Sequence, residues 1–203
     1  MKKLTKTAST LNTIFNIMEK VLFALAIAAA VCIGLIAVGY LMGWNPDTIA
    51  TGYESLEVGF LELQIADSFG PGKWVVLLQA AVILAIYCFC CLIARRMVLC
   101  ISGILSPISE GQPFHETIGA NLKKLAILTI VLGVALNLFA IAELIFATFA
   151  YDLPDLLISE KIAHVDINYT IDISFLIVSA VLLLLSYIFR YGSELQQLSD
   201  ETL

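Results

Sequence analysis

The chain reads as an all-α integral membrane protein: a four-transmembrane-helix bundle with a small extracytoplasmic β cap, in a single membrane domain covering residues 1–203. Three observations predict this. Of its 203 residues 60% are hydrophobic and only 14% charged, with a mean hydropathy of +0.95, against about 45–50% apolar and about 25% charged in soluble domains. Four stretches approach or exceed the roughly 20 apolar residues that a helix needs to cross about 30 Å of hydrocarbon. Two loops between them alternate apolar with polar residues. The same composition excludes an ordinary soluble enzyme and a disordered tail, and a net charge of -6 opposes direct contact with nucleic acid.

The spans follow in order. The first covers residues 21–42 without a charge; it is too long for the apolar part of a signal peptide and is read as a retained anchor. The second covers 74–94, before Arg95 and Arg96. The third covers 125–150, after Lys123 and Lys124. The fourth covers 173–189, is the shortest, and stops at Arg190. Nine of the eleven basic residues fall beside one set of span ends, leaving Lys73 and Lys161 on the other. By the positive-inside rule both termini, the loop 95–124 and the tail 190–203 are then cytoplasmic, and the loops 43–73 and 151–172 are outside.

Before the first span, Leu11, Ile14, Phe15 and Met18 form one helical stripe behind three lysines. This suits either a helix lying on the headgroups or a simple extension of the first span. In the first outer loop, Leu56, Val58 and Phe60 alternate, then the phase shifts to Leu61, Leu63 and Ile65, as a β-bulge beside Gly59 would produce. In the second, Ile162 to Asp172 alternates cleanly and reads as a strand that pairs with the first loop, the alternative being two interfacial loops with no fixed pairing. Pro107 and the turn Gly111-Gln112-Pro113-Phe114 end the inner extension of span two, and a new helix starts near Ile118.

Glu143 is the most informative residue for function, since a carboxylate inside a span costs about 2.5–3.5 kcal/mol on insertion scales and is expected to face the bundle or be protonated. Asn137 on the same span and Gln79 on span two are its candidate partners, although Asn137 lies roughly 120° around the helix from it. The role is proton or ligand sensing, an interhelical hydrogen bond, or snorkelling outward. His164, Asp166 and Asp172 share one face of the second strand but do not make a metal site, and no cofactor is implied. The five cysteines lie in or beside spans one and two and read as packing residues, as do Ser179 and Ser186. Gly39 and Gly43 would allow close helix approach. No catalytic constellation is present, so the chain is not read as an enzyme.

The C-terminal run Ile188-Phe189-Arg190-Tyr191-Gly192-Ser193-Glu194-Leu195-Gln196-Gln197, closing in Asp200-Glu201-Thr202-Leu203, together with the turn Gly111 to Phe114, resembles the bacterial four-span membrane family called domain of unknown function 2975 (DUF2975). Where that family carries an asparagine after the turn, Ile118 stands here, with Asn121 following. The resemblance implies a bacterial cytoplasmic membrane and no established activity. It also implies a partner class, because members are often encoded beside a small helix-turn-helix regulator. Gly111, Pro113, Phe114, Arg190, Gly192, Leu195 and Gln196 become the candidate partner-binding residues, with capping of the bundle as the structural alternative. The expected function is a non-enzymatic sensor or regulatory scaffold whose inner loop and tail bind a soluble regulator. The alternative is a small transporter or channel component using Glu143 in a polar path. The lipid bilayer is the one certain partner, and oligomer formation is left open.

Overall fold

The computed structural model describes residues 2–43, 54–58, 61–65, 73–150 and 171–201. In chain order these form α1 (Lys2–Leu41), β1 (Glu54–Val58), β2 (Leu61–Ile65), α2 (Lys73–Ser109), α3 (Glu116–Ala150) and α4 (Ser174–Glu201). Each helix is long and apolar enough to cross a membrane, over Lys6–Leu41, Trp74–Ser109, Glu116–Phe146 and Ser174–Ser199. The architecture is that of a four-helix integral membrane protein.

The helix ends follow from local chemistry. Gly43 takes φ +65° and its N–H reaches the Tyr40 carbonyl at 3.2 Å, closing α1 as a C-cap. Pro107 withholds an N–H from the carbonyl four residues back, and α2 stops within a turn, at Ser109. Gly111, at φ +85°, then completes a Schellman closure: Gln112 N–H donates to Pro107 O at 2.9 Å and Gly111 N–H to Ile108 O at 3.1 Å. His115 caps α3, its Nδ1 accepting the Thr117 N–H at 3.2 Å. Helix α4 does not stop with the apolar run at Arg190. Nothing after it breaks the helix, Arg190 and Glu194 pair at 3.2 Å one turn apart, and the helix continues to Glu201.

Residues 54–58 and 61–65 pair with each other instead of forming one bulged strand, which corrects the expected bulge. β1 and β2 are antiparallel with Leu56 opposite Leu63 and Val58 opposite Leu61. A strand that folds back on itself resets its alternation just as an inserted residue does. The second expected strand, with His164 and Asp166, lies outside the described residues.

The chain divides into two compact units. One comprises Met1–Ala28, Tyr87–Asn137 and Ile171–Leu203, and holds segments of all four helices. Its core is small and tight: Ala8, Ala26, Cys91, Val98, Ile118, Leu122 and Ala126 are buried. The other comprises Ala29–Ile86 and Leu138–Thr170, with the hairpin and the Tyr40–Trp74 edge-to-face pair, centroids 5.0 Å apart. The N-terminal stripe belongs to α1 itself, so the extension reading of that segment holds. Its orientation is inside-out: Leu11, Ile14 and Met18 are exposed while Asn12 and Glu19 are partly buried. A helix with lipid around it has that polarity, because apolar surface there has no water to avoid.

Candidate functional site

The larger unit contains three polar junctions, each built by side chains that meet a neighbouring helix. The first joins α3 to the start of α4. Asn137 Nδ2 donates to the Asp172 carbonyl and the Asp172 N–H donates to Asn137 Oδ1, both at 2.9 Å. Nδ2 also donates to Gly133 O within α3 at 2.8 Å. The side-chain amide therefore takes the place of a peptide group and completes the backbone where the helix begins. Asp172 in turn caps α4, its Oδ1 accepting the Ser174 N–H at 2.8 Å and the Ser174 hydroxyl. These two donors hold the Asp172 carboxyl below its ordinary value.

Below this junction α3 and α4 run antiparallel in close contact. Phe175 lies directly over Gly133, Ser179 donates to Ala126 O at 3.0 Å, and Ser186 donates to Gly119 O at 2.8 Å. Ser179, Ser186 and Ser193 repeat every seven residues, and all three are buried. The two serines singled out in the sequence thus serve packing, and they do so by interhelical hydrogen bonds.

The second junction brings the inner turn onto the tail. Phe114 packs against Phe189 with centroids 6.0 Å apart, and a Cβ on Gly192 would come within 2.8 Å of its ring. Phe114 and Gly192, from the two motifs far apart in the chain, are therefore neighbours. Arg190, Leu195 and Gln196 remain exposed beside them. Gly111 faces open space, and its role is the positive φ that the turn needs.

The third junction, between α1 and α2, was not anticipated. Arg95 Nε meets Glu19 Oε1 at 2.5 Å and its guanidinium stands 4.4 Å over the Phe23 ring. Two turns further on, the Ser102 hydroxyl bonds Asn12 Oδ1, with Asn16 at 3.4 Å. Asn12, Asn16 and Glu19 follow i, i+4, i+7 spacing, a signal that was available in the sequence.

Asn137 is taken by the Asp172 backbone, whereas Glu143 is exposed on α3 and Gln79 is half-buried on α2. No hydrogen bond joins any two of the three among the described residues. Of the small-residue pair, Gly39 is buried, whereas Gly43 has open space around it. The five cysteines are free thiols, with Cys91 and Cys100 buried. In the smaller unit a groove of about 670 Å³ lies between α1 and α2, walled by Ile33, Ile36, Tyr40, Trp74 and Leu78. Its walls are almost wholly apolar, which offers shape without the polar groups that orient a ligand.

No family model, curated protein or solved structure matches the chain.

Proposed function

We propose that the chain is a sensor or regulatory scaffold of a bacterial cytoplasmic membrane, with both termini inside, related to the DUF2975 family that its two motifs resemble. The inner turn and the tail bind a soluble regulator of the small helix-turn-helix class, and the outer loops, closed by a β cap, receive the signal. The observation that carries this reading is the contact of Phe114 with Phe189 and Gly192, which joins the two motifs into one polar-rimmed face. The nine basic residues on that side support its cytoplasmic placement.

The test is an in-cell crosslink and pull-down on the full chain beside Arg190→Glu and Gln196→Ala. A DNA-binding regulator recovered with the parent and lost with the variants supports the reading. Recovery of membrane neighbours alone, in all three, overturns it. A reporter joined to Leu203 and found outside would overturn the orientation.

A second reading rests on Glu143, a carboxylate exposed along an apolar stretch of α3. In a transporter or channel component that group belongs to a polar path. Glu143→Gln then abolishes solute flux, whereas in a scaffold it leaves regulator binding intact.

A further inference from the structure

The uncharged runs of α2 and α3 each end in two adjacent cations, Arg95 with Arg96 and Lys123 with Lys124. Consecutive residues of a helix stand about 100° apart, so the members of each pair meet different neighbours. Arg95 turns to α1, where Glu19 and the Phe23 ring take its guanidinium. Lys123 lies one turn from Gly119, which packs on Ser186 and Arg190, and so stands on the α4 side of α3. Arg96 and Lys124 are left. Both are exposed, and neither has an ion-pair or hydrogen-bond partner among the described residues.

These two cations flank one seam. Helices α2 and α3 approach closely at Gly103, where a Cβ would come within 2.6 Å of Asn121 Nδ2. From that contact, one turn along α3 leads to Lys124, and one and two turns back along α2 lead to Cys100 and Arg96. Cys100 is buried, and the charges of Lys124 and Arg96 both reach its thiol. Two like charges brought together without a counter-ion repel, and an anion seated between them removes that cost.

We infer that Arg96 and Lys124 form a seat for the phosphodiester of an anionic phospholipid at the α2–α3 seam. Position and surroundings favour a lipid over a soluble anion. Both residues lie at the ends of apolar runs, the level at which phosphates begin. One turn towards those runs stand Leu92 on α2 and Ile127 on α3, both exposed and apolar, where acyl chains continue from the headgroup. A basic recess between membrane helices is a recurrent way of holding such headgroups. The seat shares no residue with the inner-turn and tail face, so it stands or falls independently of regulator binding.

The test is native mass spectrometry of the full chain in detergent, titrated with phosphatidylglycerol or with phosphatidylcholine. The expected result is one phosphatidylglycerol retained in preference to phosphatidylcholine. Arg96→Gln and Lys124→Gln should each weaken retention about fivefold. Both side chains are exposed and unpartnered in the protein, so these variants keep the fold. Lys123→Gln removes the same charge from the adjacent position and should leave retention unchanged. Equal weakening by Lys123→Gln would reveal a diffuse basic surface and overturn the inference. Equal retention of phosphatidylcholine, or undiminished retention in the Arg96→Gln, Lys124→Gln double variant, would overturn it as well. Displacement of the lipid by millimolar inorganic phosphate would mark a soluble-anion site instead, with the same consequence.

Discussion

Asn137 and the Asp172 peptide group form a closed two-bond ring at the point where α4 begins. It matters because the first backbone groups of a helix have no partner within the helix itself. Replacing Asn137 with Leu removes both bonds to the Asp172 peptide, whose groups water can then reach. The expected loss is about 1 kcal/mol of stability, read as a lowered unfolding temperature in lipid particles. Asn137→Asp keeps the acceptor alone and should fall between Leu and the parent. Equal stability of all three would show that the ring contributes nothing.

Asp172 predicts a pH dependence of defined sign. Its folded-state carboxyl is held below the ordinary value of 3.8 by the Ser174 N–H and hydroxyl. A lowered carboxyl stabilises the fold at pH above the unfolded value, and that contribution is lost as the pH falls through the folded one. The start of α4 should therefore be insensitive to pH near neutrality and open in hydrogen exchange as the pH falls below 3.8. Asp172→Asn should flatten this acid response, since its side chain does not titrate.

The inner turn offers a paired test. Gly192→Ala places a Cβ within 2.8 Å of the Phe114 ring, which must then move. Overpacking of this kind costs about 1–3 kcal/mol, and proteolysis near Gly111 should speed up accordingly. Phe114→Leu alone also loosens the turn, but combined with Gly192→Ala it should recover part of the loss. Additive losses would sink the contact.

Glu19 and Arg95 should behave as a pair. The two side chains are 18% and 32% exposed, so the interaction is neither fully solvated nor buried. Either Glu19→Gln or Arg95→Gln is expected to destabilise by about 1 kcal/mol. A double-mutant cycle should return a coupling of similar size, and zero coupling would refute the pair. Arg95 has the larger effect of the two, because its loss also vacates the Phe23 ring.

Long uncharged runs such as Val21 to Met42 have few structural alternatives, which is why the four spans were legible from composition alone. Their partners were less so. Asn137 in a span points to a side-chain partner, yet it bonds a backbone group, and no residue identity marks where a peptide N–H is left unpaired. Asn12, Asn16 and Glu19 stood in plain i, i+4, i+7 order but resemble a solvent-facing stripe. Only the reversed polarity of a lipid-facing helix turns such a stripe inward. At Gly59 a bulge and a hairpin leave the same phase shift, and pairing between Leu56 and Leu63 is what distinguishes them. The meeting of Phe114 with Phe189 was foreshadowed because both lie in short, distinctive motifs on the same side of the predicted topology.

The serine row fixes the rotational phase of α4. Ser179 and Ser186 grip two carbonyls of α3 at points one heptad apart, so the helix cannot turn about its axis without breaking both bonds together. An untwisted α-helix would drift by about 20° over that interval, and the matched hydroxyls resist the drift. Over that heptad α3 and α4 are therefore geared together, and a twist imposed on one is handed to the other.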